Sequence, residues 1–212
     1  MLRLVMMMCV MGLVTACGGA RDLNDKPVPL GNFNLMHNVV VAPKAQKGPL
    51  SRDATEEQLT SAVQSAIAQR FDRYDGDSNY HFGVSVEGYV LAAPGVPLVL
   101  SPKSILIINL TVWDDAAGKK LTDKPHTITV LETFGTGTVV GSGYTLSAEE
   151  QLQQLSENVA KAIERYLVKQ MDEEGWFVTT GSGRPGVVAA ETSETAMADA
   201  PALSADAEVA AE

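Results

Sequence analysis

Carboxylate and amide side chains alternate in the segment Asp75–Asn79, with the spacing that opens a calcium-binding loop. Oxygen ligands at alternate positions can wrap a hard cation such as Ca²⁺. An EF-hand also needs glycine where Tyr80 stands and a bidentate acid where Val86 stands. Glu87 lies one residue too late, on a predicted strand. We therefore interpret the segment as a polar helix-to-strand loop and expect no metal there.

A glycine- and threonine-rich segment, residues 135–143, lies between a predicted strand and a predicted helix, where phosphate-binding loops occur. A P-loop needs a lysine directly before its Ser or Thr, because the ammonium group contacts the phosphates. Gly141 precedes Ser142 instead. The segment is interpreted as a flexible connection, and no nucleotide is expected.

The side chains that could act as nucleophiles, bases or metal ligands are scattered. None of His37, His81 and His126 has a second histidine at the spacing of a zinc site, and no G-x-S-x-G motif is present. The adjacent acids Asp114 and Asp115 fall in a predicted turn, where carboxylates are usually solvated. We therefore expect no catalytic residue, no metal and no cofactor.

Two helices are predicted from the spacing of apolar residues. The first begins near Asp53 or Thr55, either of which can cap it. The second begins with a capping box of Ser147 and Glu150, and Gly175 can end it. The residues at helical spacing are Leu59, Val63, Ala66, Ile67, Arg70 and Tyr74 in the first helix and Leu152, Leu155, Val159, Ile163, Tyr166 and Leu167 in the second.

Residues 38–43, 80–92, 104–114 and 126–134 are predicted strands, because they are rich in β-branched residues or alternate apolar with polar ones. The resulting order is strand, helix, three strands, helix. This order predicts an α+β fold: a two-layer sandwich in which a sheet of about four mostly antiparallel strands carries two helices on one face.

The chain opens with a short apolar run, residues 4–14, after a single basic residue, Arg3. Spanning a bilayer as a helix takes about 20 apolar residues, so this run has the proportions of a signal-peptide core. The sequence Val14-Thr15-Ala16-Cys17 that follows resembles the lipobox of bacterial lipoproteins. The alternative is an ordinary cleaved signal whose first mature residue is cysteine.

The lipobox resemblance implies that the Cys17 thiol carries diacylglycerol and that the leader is removed before it. Gly18 stands where an aspartate would retain such a lipoprotein at the inner membrane. The resemblance therefore implies an outer-membrane protein facing the periplasm, with the inner membrane as the alternative. The element order and the turn at residues 112–121 also resemble small periplasmic domains of uncharacterised Gram-negative lipoprotein families, which imply no activity.

The expected organisation is a signal peptide at 1–16, a tether at 17–37, the α+β domain at 38–177 and a tail at 178–212. The tail is acidic and rich in alanine, and it has no aromatic residue to bury, so it is predicted to be disordered. A short helix that forms on binding is the alternative for this tail.

The charge of the chain argues against nucleic acid as a partner. Its 26 acidic and 16 basic side chains give a net charge of −10. Such a chain repels phosphate backbones and anionic lipid headgroups. We therefore expect the acyl anchor alone to hold the protein at the membrane.

Alternation in the strand at 104–114 predicts a second apolar surface on the sheet face that the helices leave open. Leu106, Ile108, Leu110 and Val112 are placed under the helices. The residues of the opposite face are Ile105, Ile107 and Trp113, with Tyr89, Leu91 and Leu131 from neighbouring strands. This face is predicted to contact a partner protein or a second copy, unless the tether or the proline-rich loop covers it.

The function predicted from these features is that of a lipid-anchored periplasmic binding or accessory module of the cell envelope. A small-ligand-binding or sensing lipoprotein is the alternative. An enzyme is the third and least supported function, because no nucleophile, base and orienting group occur together.

Overall fold

The computed structural model describes residues 21–93, 104–132, 146–180 and 184–185. Two helices are present, α1 (Glu56–Phe71) and α2 (Ala148–Glu174). The strands are β1 (Phe33–Val41), β2 (Gln46–Lys47), β3 (Ser78–Val90), β4 (Ile105–Asp114), β5 (Lys119–Lys120), β6 (His126–Leu131), β7 (Thr179–Thr180) and β8 (Arg184–Pro185). A short 3₁₀ turn, Arg21–Asn24, precedes β1.

The main sheet has the strand order β1-β3-β4-β6, and the two-residue strands β2 and β5 pair with β3 and β4. β1 runs parallel to β3 because α1 crosses between them. β3, β4 and β6 are antiparallel neighbours. The α+β class and the order of the long elements are confirmed. The sheet has six strands rather than about four, since the two short strands extend it.

Both helices begin where local chemistry predicts. Thr55 and Gln58 form a capping box at α1, and Ser147 and Glu150 form one at α2, so backbone N–H groups left free by each first turn find acceptors. Gly175 ends α2 in a left-handed conformation with φ of 67°. No helix in the described part of the chain is long and apolar enough to cross a bilayer.

The two helices lie side by side and run in the same direction. Arg52, before α1, donates to the carbonyl of Leu146, before α2, at 2.9 Å. Arg70, in the last turn of α1, contacts Glu164 of α2. Both contacts join residues 94 positions apart. The N-terminal ends of α1 and α2 therefore lie at the same end of the helical layer.

An aromatic cluster fills the core at the opposite end. The Phe33 ring lies 5.0 Å from Phe177, 5.4 Å from Tyr80 and 6.0 Å from Phe71, measured between ring centroids. The backbone of Asn32 also donates to the Phe177 carbonyl at 3.0 Å. Residues after α2 are thus part of the domain core.

The first strand begins five residues earlier than the sequence predicts. Residues 33–37 belong to the predicted tether, but they form the first half of β1. Leu30 and Phe33 are each only 1% exposed. An aromatic residue isolated among polar ones gives no alternating pattern, so burial of Phe33 depends on the distant aromatic rings rather than on its neighbours in sequence.

Candidate functional site

A groove with a volume of about 790 Å³ lies between α1, along most of its length, and the N-terminal half of α2. It exists because α1 presents short side chains toward α2: Ser61, Ala62, Ser65 and Ala66. Short side chains leave space that longer ones would fill. The groove is an open cleft on the helical layer and not a cavity between helices and sheet.

The floor of the groove is apolar and comes from three elements. Leu152 of α2 and Leu91, which follows β3, are both buried in the core. The remaining floor residues are Ala54, Ala62, Ala66 and Ala148. A ligand lying here would cover apolar surface, which favours association by about 25 cal/mol for each Å² removed from water.

The rim of the groove is acidic. Asp53 lies just before α1, Glu57 lies on α1, and Glu149 and Glu157 lie on α2. Asp53 is paired with Lys47 at 2.6 Å. Within residues 21–93, 104–132, 146–180 and 184–185, the other three carboxylates form no ion pair. Glutamine amides from Gln58, Gln69 and Gln153 add hydrogen-bonding capacity.

The N-terminal segment of the chain bridges the helices just beyond one end of the groove. The Asp22 carboxylate accepts from Arg70 of α1 and contacts Lys161 of α2, each at 2.8 Å. Gln69 and Glu157, which line the end of the groove, are within about one turn of these two residues. Partial burial acts to raise the pKa of Asp22. Hydrogen bonds from Arg70 and Lys161 outweigh this effect and lower the pKa to about 2.

A network of buried charged and polar side chains surrounds Arg70 next to Asp22. Glu164 accepts from Arg70 at 2.9 Å and from the Tyr74 hydroxyl at 2.8 Å, and Arg73 lies 3.8 Å away. Burial, and then the hydrogen bond to Glu164, raise the pKa of the Tyr74 phenol. This network fixes the N-terminal segment and the two helices relative to each other. Its charges are satisfied by one another, so its role is structural.

Two residues predicted for the open sheet face are instead in the core. Tyr89 is 6% exposed and Leu91 is fully buried. The reason is a β-bulge between Val86 and Gly88, where β3 shifts its register against β4. One extra residue turns every later side chain to the other face of the sheet. Val90 lies on the open face as a result and is half-buried.

The other four predicted contact residues do lie on the open face. Ile105 and Ile107 are half-buried, whereas Trp113 and Leu131 are 37% and 50% exposed. Polar and small residues separate them: Gly83, Ser85, Asn109, Thr111 and Thr127 occupy the middle of this face. The contact role of the four residues stays a prediction, but the face is not one continuous apolar patch.

The structure places two histidines in contact that are far apart in the sequence. His37 of β1 and His81 of β3 are register partners, and their Nδ1 atoms are 2.9 Å apart. They are 44 residues apart, so only the parallel pairing of β1 with β3 could have revealed the contact. His126 lies elsewhere, stacked on Tyr166 with 3.9 Å between ring centroids.

The remaining predicted features have simple placements. The Asp77 backbone donates to the Asn32 side chain, and the Asn79 side chain accepts from Asn34, so the loop at 75–79 serves to join β3 to the start of β1. Asp114 is buried and accepts from the backbone of Ala117 in the turn after β4. Cys17, the leader, the glycine-rich segment at 135–143 and most of the predicted tail lie outside the described residues.

Neither a family model nor a curated protein matches this sequence. Several solved structures are similar to this chain over part of its length. A DUF330-family protein from Xanthomonas campestris is 14% identical, with a TM-score of 0.44, over 71% of this chain and 94% of its own. A minor lipoprotein from Acinetobacter baumannii is 16% identical, with a TM-score of 0.29, over 61% and 93%. A hypothetical protein from Chlamydia trachomatis is 7% identical, with a TM-score of 0.37, over 65% and 99%.

Proposed function

We propose that this chain is a lipid-anchored periplasmic module of the cell envelope, and that it binds a segment of another envelope protein in the groove between α1 and α2. The groove is the observation that carries this proposal. It combines an apolar floor of Leu91, Leu152 and alanines with an acidic rim. Lipidation at Cys17 and attachment to the outer membrane, facing the periplasm, are part of the proposal and are supported by the lipobox.

The chemistry of the groove favours a basic amphipathic helix as its occupant. Two parallel helices with short facing side chains leave room for a third helix, which would place apolar residues at every third or fourth position on the floor. Lysine or arginine on its flanks would meet Glu57, Glu149 and Glu157. The chain's own tail carries six acidic residues and one basic residue after position 177, so like charge disfavours it as the occupant.

Charge at the rim is expected to act mainly on specificity and association rate. Exposed ion pairs contribute about 0.2–1 kcal/mol each, so the apolar floor must supply most of the affinity. We accordingly expect binding to weaken at high salt without being abolished. No catalytic chemistry is proposed for the groove.

The proposal can be tested by photo-crosslinking in living cells. A photo-reactive residue is placed at Ser61 or Ser65, which line the groove, and at Gln154, which is exposed on α2 but does not line it. The expected result is a protein adduct of defined mass from the two groove positions only. No adduct at either position, or the same adduct from Gln154, would refute groove binding.

A matched pair of charge reversals sharpens this test. Glu57→Lys removes a rim carboxylate, whereas Glu56→Lys makes the same change one residue earlier, where the side chain does not line the groove. Both changes cost α1 the same favourable charge in its first turn. Loss of the adduct with Glu57→Lys and its retention with Glu56→Lys are expected.

A small amphipathic ligand is the second candidate occupant, because the groove volume falls in the range of about 300–1,000 Å³ that is typical of ligand sites. Native mass spectrometry distinguishes the two. A co-purifying small molecule that is lost when Ala62→Phe fills the groove would support this candidate, in the absence of any protein adduct.

A further inference from the structure

The geometry of His37 and His81 points to a copper(II)-binding site on the open face of the sheet, opposite the helical layer. The two Nδ1 atoms are joined by a hydrogen bond of 2.9 Å, in which one ring donates and the other accepts. Both side chains lie at the surface, with His37 exposed and His81 half-buried. An imidazole nitrogen pair at an accessible surface is a common element of transition-metal sites.

The local backbone aims both side chains at one point. β1 carries a register shift between Leu35 and His37, a bulge that turns His37 to the open face. Bulges frequently re-aim a side chain next to a functional site. Without the shift, the alternation of β1 would place Met36 and not His37 opposite the β3 residues of that face.

A carboxylate holds His81, the less exposed of the two histidines, by its second nitrogen. His81 Nε2 lies 3.1 Å from Oδ1 of Asp115, in the turn after β4. Because a carboxylate accepts, this contact places a proton on Nε2, and the Nδ1 atom of neutral His81 then accepts from Nδ1 of His37. A metal-ligating histidine almost always donates its other N–H to a carboxylate, carbonyl or water in this manner.

The affinity order of the divalent ions selects the metal. An ion that takes both Nδ1 atoms as ligands replaces the proton that they share, and this proton leaves to solvent. Square-planar coordination by nitrogen and oxygen is typical of Cu²⁺ and Ni²⁺, and Cu²⁺ binds most tightly of the first-row divalent ions.

Two imidazole nitrogens supply only part of the coordination sphere of a Cu²⁺ ion. In the described part of the chain, no third His, Cys, Asp or Glu completes a cluster with this pair. Water would therefore fill the remaining corners. The site binds the ion without a redox step, and it is independent of the groove on the helical layer.

The experiment is a Cu²⁺ titration of the full chain in detergent, after alkylation of any free thiol. Electron paramagnetic resonance should show coupling to two imidazole nitrogens at one equivalent of Cu²⁺. Trp113, the register partner of His81 on β4, should lose fluorescence in step with binding. Zn²⁺ should bind at least tenfold more weakly than Cu²⁺.

Variants separate this site from incidental binding. His37→Gln and His81→Gln should each weaken Cu²⁺ binding at least tenfold, and Asp115→Asn should weaken it about tenfold, as for other outer-shell partners. His126→Gln, which removes a histidine stacked on Tyr166, is the matched control and should bind like the unmodified chain.

Two outcomes would overturn the inference. One is the absence of imidazole coupling from the electron paramagnetic resonance spectrum of the unmodified chain with Cu²⁺. This outcome can be judged without any variant. The other is equal Cu²⁺ affinity in His37→Gln, His81→Gln and His126→Gln. A loss of thermal stability in the histidine variants in metal-free buffer does not count as support. The spectrum of the unmodified chain decides whether the two histidines bind Cu²⁺.

Discussion

Arg70 and Glu164 form a buried ion pair that joins the last turn of α1 to α2, with 2.9 Å between Nη1 and Oε2. Both side chains are less than 10% exposed. Arg70 stands at helical spacing with core residues, and its charge is balanced there by Glu164 and by Asp22 of the N-terminal segment. Three separate parts of the chain therefore meet at one guanidinium group.

Removing one partner of this pair should cost far more than removing a surface charge. Glu164→Gln leaves Arg70 partly uncompensated, and breaking a buried pair in this way typically costs about 3–5 kcal/mol. Because Asp22 still faces Arg70, we expect the lower end of that range. Chemical denaturation measures the free energy of unfolding. Glu173→Gln, which removes a surface carboxylate 3.7 Å from Lys169, is the control and should change it by less than about 0.5 kcal/mol.

The contact of Asp22 with Arg70 and Lys161 should make stability depend on pH in acid. The pKa of Asp22 is lowered to about 2 in the folded chain, below its usual value of 3.8. A lowered pKa stabilises the fold above the unfolded value, and this contribution is lost as pH falls from about 4 to 2. Since Asp22 is partly exposed, we expect a contribution on the order of 1 kcal/mol.

Comparison with Asp22→Asn isolates this contribution from other acid effects. The difference in the free energy of unfolding between the two proteins should be largest above pH 4 and should shrink as pH approaches 2. A difference that stays constant from pH 6 to pH 2 would show that Asp22 is not held ionised by its two cationic partners.

The helices could be predicted from sequence because their signals are local. A capping box spans four residues, and the apolar stripe of α2 repeats within each turn. Ser147 and Gly175 mark the two ends of α2 in sequence and in structure alike. The interhelical groove could not be predicted, because it depends on which short side chains of α1 happen to face α2.

The sheet was harder to predict because its register is set by residues far apart in sequence. An isolated glycine inside a strand, such as Gly88, often marks a bulge, but it does not predict the register shift that turns Tyr89 and Leu91 into the core. The contact of His37 with His81 likewise depends on the parallel pairing of β1 with β3. A strand's alternation predicts two faces correctly only until the first irregularity.

Phe177 should mark the end of the packed core. Its side chain is 2% exposed and packs against Phe33 and Tyr80, while its carbonyl accepts from Asn32. Replacing a buried phenylalanine with alanine costs about 3–5 kcal/mol. Phe177→Ala should therefore lower the thermal midpoint by roughly 10 °C or more.

Deleting residues 180–212 should by contrast leave the thermal midpoint within a degree or two. The deletion removes Thr180 of β7 and all of β8, which form a two-stranded ladder separate from the main sheet. The segment is rich in alanine and acid and has no aromatic residue to pack. Differential scanning calorimetry on the two proteins measures both effects. A large drop on deletion would mean that the tail contributes to the core, contrary to its composition.

Cys17 should be the residue that holds the protein at the membrane. A single acyl chain gives only marginal attachment, whereas each buried methylene adds about 0.8 kcal/mol, so the two or three chains of a lipidated cysteine make a lasting anchor. The net negative charge of the chain disfavours anionic headgroups.

Cys17→Ser should therefore leave an unprocessed precursor or a soluble periplasmic form, which fractionation and intact-mass measurement would reveal. Ser142→Ala, a change of similar size far along the chain, is the control and should fractionate with the outer membrane. A processed Cys17→Ser protein that still fractionates with the outer membrane would show that the attachment does not depend on this cysteine.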